Sequence, residues 1–122
     1  MTQLIFVYGS LKRGYELHRY LQWEQFQGEA HTEPAYRLVD CGSYPGLLSA
    51  KDGHAIHGEV YLVSDETLQV LDEVEGVEED LYRRAAVRLQ PPFDQQDVQA
   101  WFYNQPTDHL PDCGNRWPRG SN

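Results

Sequence analysis

Basic residues are scarce in this 122-residue chain: ten Lys and Arg stand against nineteen Asp and Glu, for a formal net charge of −9. A surface of that sign repels polyanions, which excludes nucleic acid and anionic membrane surfaces as partners. Long apolar runs are missing too. The longest, Leu4-Ile5-Phe6-Val7-Tyr8, has five residues, whereas a transmembrane helix needs about 20. A signal peptide needs a basic start and an apolar stretch of about 7–15 residues. No membrane association is expected, and the location expected is cytoplasmic. Cysteine occurs twice, at Cys41 and Cys113, in no C-x-x-C pair, so two reduced thiols are expected rather than a disulfide. The five histidines have no metal-ligand spacing, and His54 and His57 in one strand would face opposite ways. There is no G-x-S-x-G elbow and no glycine-rich phosphate loop. Neither metal nor organic cofactor is therefore expected, and chemistry here has to be done by side chains and backbone.

What is present makes a folded chain. Leu, Ile, Val and Phe supply 28 of 122 residues, about 23%, above the roughly 20% below which disorder sets in. The length suits one domain spanning 1–122, with a proline-containing tail from about Gln105 (Pro106, Pro111, Pro118) that is either packed by Leu110 and Trp117 or partly loose. Leu4–Tyr8 reads as a buried strand ending at Gly9-Ser10. Gly9–Gly14 reads as a tight loop with Lys12 and Arg13 exposed, and Tyr15–Trp23 as a short helix. Phe26–Thr32 and Tyr36–Val39 read as strands. Leu47–Ala50 and His54–Val63 read as a hairpin turned at Asp52-Gly53. Ser64 is a good N-cap for a helix stopped by Gly76, with Asp65 and Glu66 in its first turn. Tyr82–Leu89 and Val98–Tyr103 complete the strands. No internal repeat or low-complexity segment interrupts them. The predicted class is α+β: a small mixed, mostly antiparallel β-barrel with two short flanking helices.

Two places carry candidate chemistry. Asp65–Asp80 holds eight acids and no base, and most of these belong to a solvated face. One differs. At about 100° per residue, Leu68, Val70, Leu71 and Val74 centre an apolar stripe, and Glu75 lies roughly 70° from that centre. Asp65, Glu66, Asp72 and Glu73 fall more than about 100° away on the same wheel. Glu75 is the acid placed to point inward, where a carboxylate is costly unless paired or functional. The second place is Tyr8-Gly9-Ser10-Leu11 at the exit of the first strand. A glycine there lets backbone N–H groups turn toward a ligand carboxylate or a developing oxyanion. Tyr44-Pro45-Gly46 reads as a plain turn, and Tyr82 and Tyr103 as strand residues filling the core.

In order along the chain, Val7-Tyr8-Gly9-Ser10-Leu11-Lys12-Arg13-Gly14, Tyr44-Pro45-Gly46, Gly58-Glu59-Val60-Tyr61, Leu71-Asp72-Glu73-Val74-Glu75-Gly76 and Leu81-Tyr82-Arg83-Arg84 resemble the γ-glutamylcyclotransferase-like family, most closely its γ-glutamylamine cyclotransferase branch and short bacterial relatives. The resemblance spans about residues 4–103. It implies a compact β-barrel around one pocket, in which a small-molecule γ-glutamyl amine or γ-glutamyl amino acid becomes 5-oxoproline plus a free amine. By position, Glu75 matches the family's acid–base glutamate. Tyr8, Gly9, Ser10 and Leu11 match the loop that holds the substrate's α-carboxylate end. Tyr82 matches an aromatic beside the glutamate, and Tyr103 falls near another pocket tyrosine. The alternative expectation is a non-catalytic ligand-binding or interaction protein of the same fold. The leaving amine and the oligomeric state are not readable from these residues.

Overall fold

The computed structural model describes residues 1–118. The strand β1 (Thr2–Val7) lies at the centre, its last three residues buried. It pairs antiparallel with β5 (His57–Ser64) and parallel with the start of β7 (Val98–Tyr103). On its other edge β5 carries β2 (Gln25–His31), with a bulge between Phe26 and Gly28 where Gly28 takes φ 147°. β6 (Tyr82–Ala86) runs antiparallel along β7, and β4 (Pro45–Ser49) meets β7 in parallel at Leu47 and Phe102. β3 (Tyr36–Asp40) lies between β4 and the three-residue β8 (Asp112–Gly114). The result is one mixed, mostly antiparallel sheet of eight strands in the order β2-β5-β1-β7-β4-β3-β8, with β6 on β7. A bridge between Thr32 and Leu89 brings the segment after β6 against the end of β2, so the sheet curls back like part of a barrel.

Side-chain alternation along β1 divides the core. Phe6 and Tyr8 face the inside of the curl with Leu38, Val60, Ala100 and Phe102. Ile5 and Val7 face the other side, where Tyr61, Trp101, Leu68 and Leu71 pack under α1 (Asp65–Val74). β1 is apolar on both faces because both are covered. Helix α1 begins as the sequence predicts, with the Ser64 hydroxyl accepting from the Thr67 N–H at 3.2 Å. It stops where Gly76 takes φ 70°, a left-handed conformation that glycine adopts without cost.

Four expectations change. The hairpin at Asp52-Gly53 does not form. β4 pairs with β3 across the Cys41–Tyr44 turn, and β5 pairs with β1 and β2. The Asp-Gly turn instead lies on β3: the His54 N–H donates to the Tyr36 carbonyl, and a Cβ on Gly53 would sit 2.3 Å from that same oxygen. The first of the two helices is a five-residue 3₁₀ segment, Glu16–Tyr20, with no side-chain cap, too short to sustain α-helical bonding. Lys12, expected in solvent, is buried with 6% exposure. Val70, counted in the apolar stripe of α1, is exposed, while Leu68 and Leu71 carry the helix onto the sheet.

Candidate active site

β1 delivers its last residues into a loop that crosses the open end of the curl. There Tyr8, Gly9, Ser10 and Leu11 line one narrow, partly open pocket together with Glu75 and Tyr82. Tyr44, Pro45 and Trp101 add to the wall, which Phe6 and Val7 of β1 complete. Tyr103 stands behind it: its ring packs edge-on against Tyr82 at 5.5 Å, and its hydroxyl bonds with Cys41. Six of the seven residues singled out in the sequence thus share a cavity, and the seventh supports one of them from outside.

The loop is fixed through its carbonyls. Gly9 O accepts from the Lys12 N–H at 3.0 Å, Ser10 O from the Leu17 N–H at 2.9 Å, and Leu11 O from the His18 ring Nδ1–H at 3.0 Å. The N–H groups of Ser10 and Leu11 bond to no other backbone group of the described residues. Carbonyls held on one side leave amides turned to the other, an arrangement that suits an anion. Gly9 is required by packing, since a Cβ there would meet the Pro45 ring at 2.6 Å.

Glu75 follows directly on the last turn of α1, capping it through its own N–H to Leu71 O at 2.9 Å. Its carboxylate makes no hydrogen bond or ion pair among the described residues, and burial raises its pKa from the usual 4.5 to about 7. The neighbouring phenols are pushed the same way, Tyr8 and Tyr82 both well above the ordinary tyrosine value, chiefly by burial and further by the Glu75 charge. Both phenol protons are committed. The Tyr8 hydroxyl donates to Trp101 O at 2.6 Å, and the Tyr82 hydroxyl donates to Pro45 O. Their remaining lone pairs can only accept.

Ser10, Tyr44, Glu75 and Tyr82 also border an outer, open cleft whose other walls include Glu16, Leu17, Val74 and Leu81. A group bound at Glu75 can therefore extend outward without passing through the core. Tyr44, Pro45 and Trp101 are site residues that sequence reasoning missed. The Tyr44-Pro45-Gly46 block signals only a turn, and Trp101 is hidden in the ordinary alternation of β7. Among the described residues no group of three or more His, Cys, Asp or Glu is arranged to hold a metal.

The chain as a whole has relatives. A family model described as Gamma-glutamyl cyclotransferase, AIG2-like matches residues 5–119. A Vibrio cholerae protein named "Putative gamma-glutamylcyclotransferase" is 45% identical over 104 residues, 84% of this chain and 82% of that one. The γ-glutamylaminecyclotransferase of Bos taurus is 40% identical over 93 residues, 70% of this chain, which spans only 55% of the bovine protein's length. The crystal structure of an AIG2-like protein from Mus musculus superposes with a TM-score of 0.73 at 28% identity, covering 99% of each chain.

Proposed function

The chain belongs to the gamma-glutamyl cyclotransferase, AIG2-like family, and we propose that it converts a small γ-glutamyl compound into 5-oxoproline and a free amine, with Glu75 carrying the proton. The observation that carries this reading is a half-buried carboxylate with no hydrogen-bond or ion partner among the described residues, in one pocket with a loop whose Ser10 and Leu11 amides bond to no backbone group of those residues.

The chemistry needs no enzyme nucleophile. The substrate's α-amine attacks its own γ-carbonyl carbon, forming the ring C–N bond and breaking the bond to the leaving nitrogen. Holding the two ends together supplies much of the acceleration, since intramolecular reactions reach effective molarities of about 10⁵–10⁸ M. The α-amine arrives as an ammonium and cannot attack until a base removes a proton. Glu75, with a pKa of about 7, accepts it near neutrality and returns it to the departing nitrogen, then takes the second proton that the ring nitrogen must lose and passes it to the free amine, which leaves as an ammonium. The phenol oxygens of Tyr8 and Tyr82, their protons already donated, keep lone pairs that can accept from that ammonium, the Tyr8 oxygen alongside the Leu47 N–H it already accepts. The Ser10 and Leu11 amides receive the α-carboxylate or the oxyanion.

The leaving amine then lies in the outer cleft beside Leu17, Val74, Leu81 and Glu16. An amino acid in that place would bring a further carboxylate toward Glu16 and Glu75, so γ-glutamyl amines are the better substrates. The test is a panel of γ-glutamyl amines and γ-glutamyl amino acids assayed for 5-oxoproline release. Release is expected, faster from the amines than from their carboxylated counterparts. No release from any member, with 5-oxoproline still bound, would return the chain to the binding-protein alternative.

A further inference from the structure

Lys12 is an anomaly in the loop beside the cavity. It is buried to 6% exposure, although lysine is almost never buried without a partner. Its Nζ donates to the Trp117 carbonyl at 2.6 Å and lies over the Tyr15 ring, 5.2 Å from its centre. The Trp117 ring in turn packs on Tyr15 at 5.7 Å and comes within 4.0 Å of the point a Gly9 Cβ would occupy. The segment bearing Trp117 is itself anchored. β8 pairs with β3, and Asn115 O accepts from the His57 N–H at 2.8 Å. Burial lowers the Lys12 pKa, opposed by the Glu59 charge and assisted by Arg116. An apolar residue of similar length would bury the same stem without that desolvation, so stability alone is a poor reason for an ammonium here. What the ammonium adds is direction: it ties the turn closed by Lys12 N–H to Gly9 O at 3.0 Å to one point on the C-terminal chain.

We propose that Lys12, Tyr15 and Trp117 form a clasp that positions the Gly9–Lys12 turn, making the C-terminal segment a working part of the binding site. Lys12 and Trp117 are positioning residues. They do not line the cavity, and they act through the loop that does. What the loop holds rests on the cyclotransferase reading; that the clasp orders the loop does not. Without the clasp the turn must be ordered again by each incoming ligand, so binding weakens while the proton transfer at Glu75 is untouched.

The experiment uses the full chain with Trp117→Ala, Lys12→Met and Trp117→Phe. Hydrogen exchange is followed at the Lys12 and Leu17 amides, which close the turn, and at β1 and β5 as a reference. KM and kcat are measured on the same proteins. In Trp117→Ala and Lys12→Met the two turn amides are expected to exchange faster with β1 and β5 unchanged. KM is expected to rise about tenfold, the cost of ordering one residue or so, with kcat little altered. Both Trp117 variants keep the backbone carbonyl; Trp117→Phe also keeps a ring against Tyr15 and is expected to restore most of the affinity. A role confined to stability would lower Tm while leaving KM and the turn amides as in wild type, and that result overturns the clasp. Should Trp117→Ala fail to fold, Lys12→Met decides, since it keeps the stem and removes only the ammonium. The exchange measurement needs no substrate. Fast turn exchange in a protein that turns nothing over would overturn the cyclotransferase reading and keep the clasp.

Discussion

Two carboxylates three residues apart near the end of one helix live in opposite circumstances. Asp72 is satisfied on every side: Arg84 grips it in a fork, Nε to Oδ1 at 2.9 Å and Nη2 to Oδ2 at 3.1 Å, and the Trp101 indole N–H donates to Oδ1 at 2.8 Å. Paired geometry of that kind supports structure, tying α1 to β6 and β7. Glu75 has no such partner among the described residues, and its pKa is pushed to about 7 by burial alone. A fold selected for stability alone would not keep a half-buried acid without a partner where Gln or an apolar residue would fit at less cost. The comparison separates an acid that holds the protein together from one that costs it stability, and the second is the one facing the cavity.

Substitutions at the two positions should therefore part company. The largest effect is on turnover. Glu75→Gln keeps size but cannot carry a proton, so 5-oxoproline formation should fall about 10²–10⁴-fold, while calorimetry still finds product binding. Next comes Asp72→Asn, which weakens the Arg84 fork. Denaturant unfolding should show a loss of about 1–3 kcal/mol, with kcat/KM of the folded protein close to wild type. If Asp72→Asn loses turnover as Glu75→Gln does, the division between the two acids fails.

Stability should move the other way at Glu75, and with a definite pH dependence. Its folded pKa of about 7 lies above the usual 4.5. Wild type therefore carries no penalty below about pH 4.5, accumulates it as pH rises, and bears it fully above about pH 7. Glu75→Gln should be more stable than wild type by about 1–3 kcal/mol at about pH 8, with the gain gone by about pH 4. Equal stability of the two proteins at both ends would mean that the carboxylate is not desolvated. The smallest effect belongs to Glu73, which is exposed. Glu73→Gln should shift stability by no more than about 0.5 kcal/mol and leave turnover alone.

The same pair of acids marks how far the sequence could be read. Helix α1 is legible because its signals are local: Ser64 as cap, acids in the first turn, Gly76 as stop. Glu75 is legible because burial on a helix follows its period. Asp72 falls on the outer side of the same wheel, yet its partners come from β6 and β7, and no local pattern announces a tie made across the sheet. The strand pairing fails for the same reason. Asp52-Gly53 encodes a turn but not which strand it serves, and β3 takes the place expected of β5. Lys12 looks like surface because the carbonyl and rings that cover it come from Tyr15 and from Trp117, far along the chain. Tyr44 and Pro45 look like an ordinary turn until the curl of the sheet sets them opposite Gly9 and Tyr82.

Glu75, half-buried and without a partner among the described residues, should exchange a proton near neutral pH. This is tested most directly by titrating the Glu75 side-chain carboxyl carbon by ¹³C NMR in the intact protein, alongside the pH profile of kcat/KM for 5-oxoproline release. One step near pH 7 is expected in both curves, activity falling on the acid side as the carboxylate takes up its proton. A Glu75 carboxyl that titrates near 4.5, or an activity profile with no step near pH 7, would contradict it.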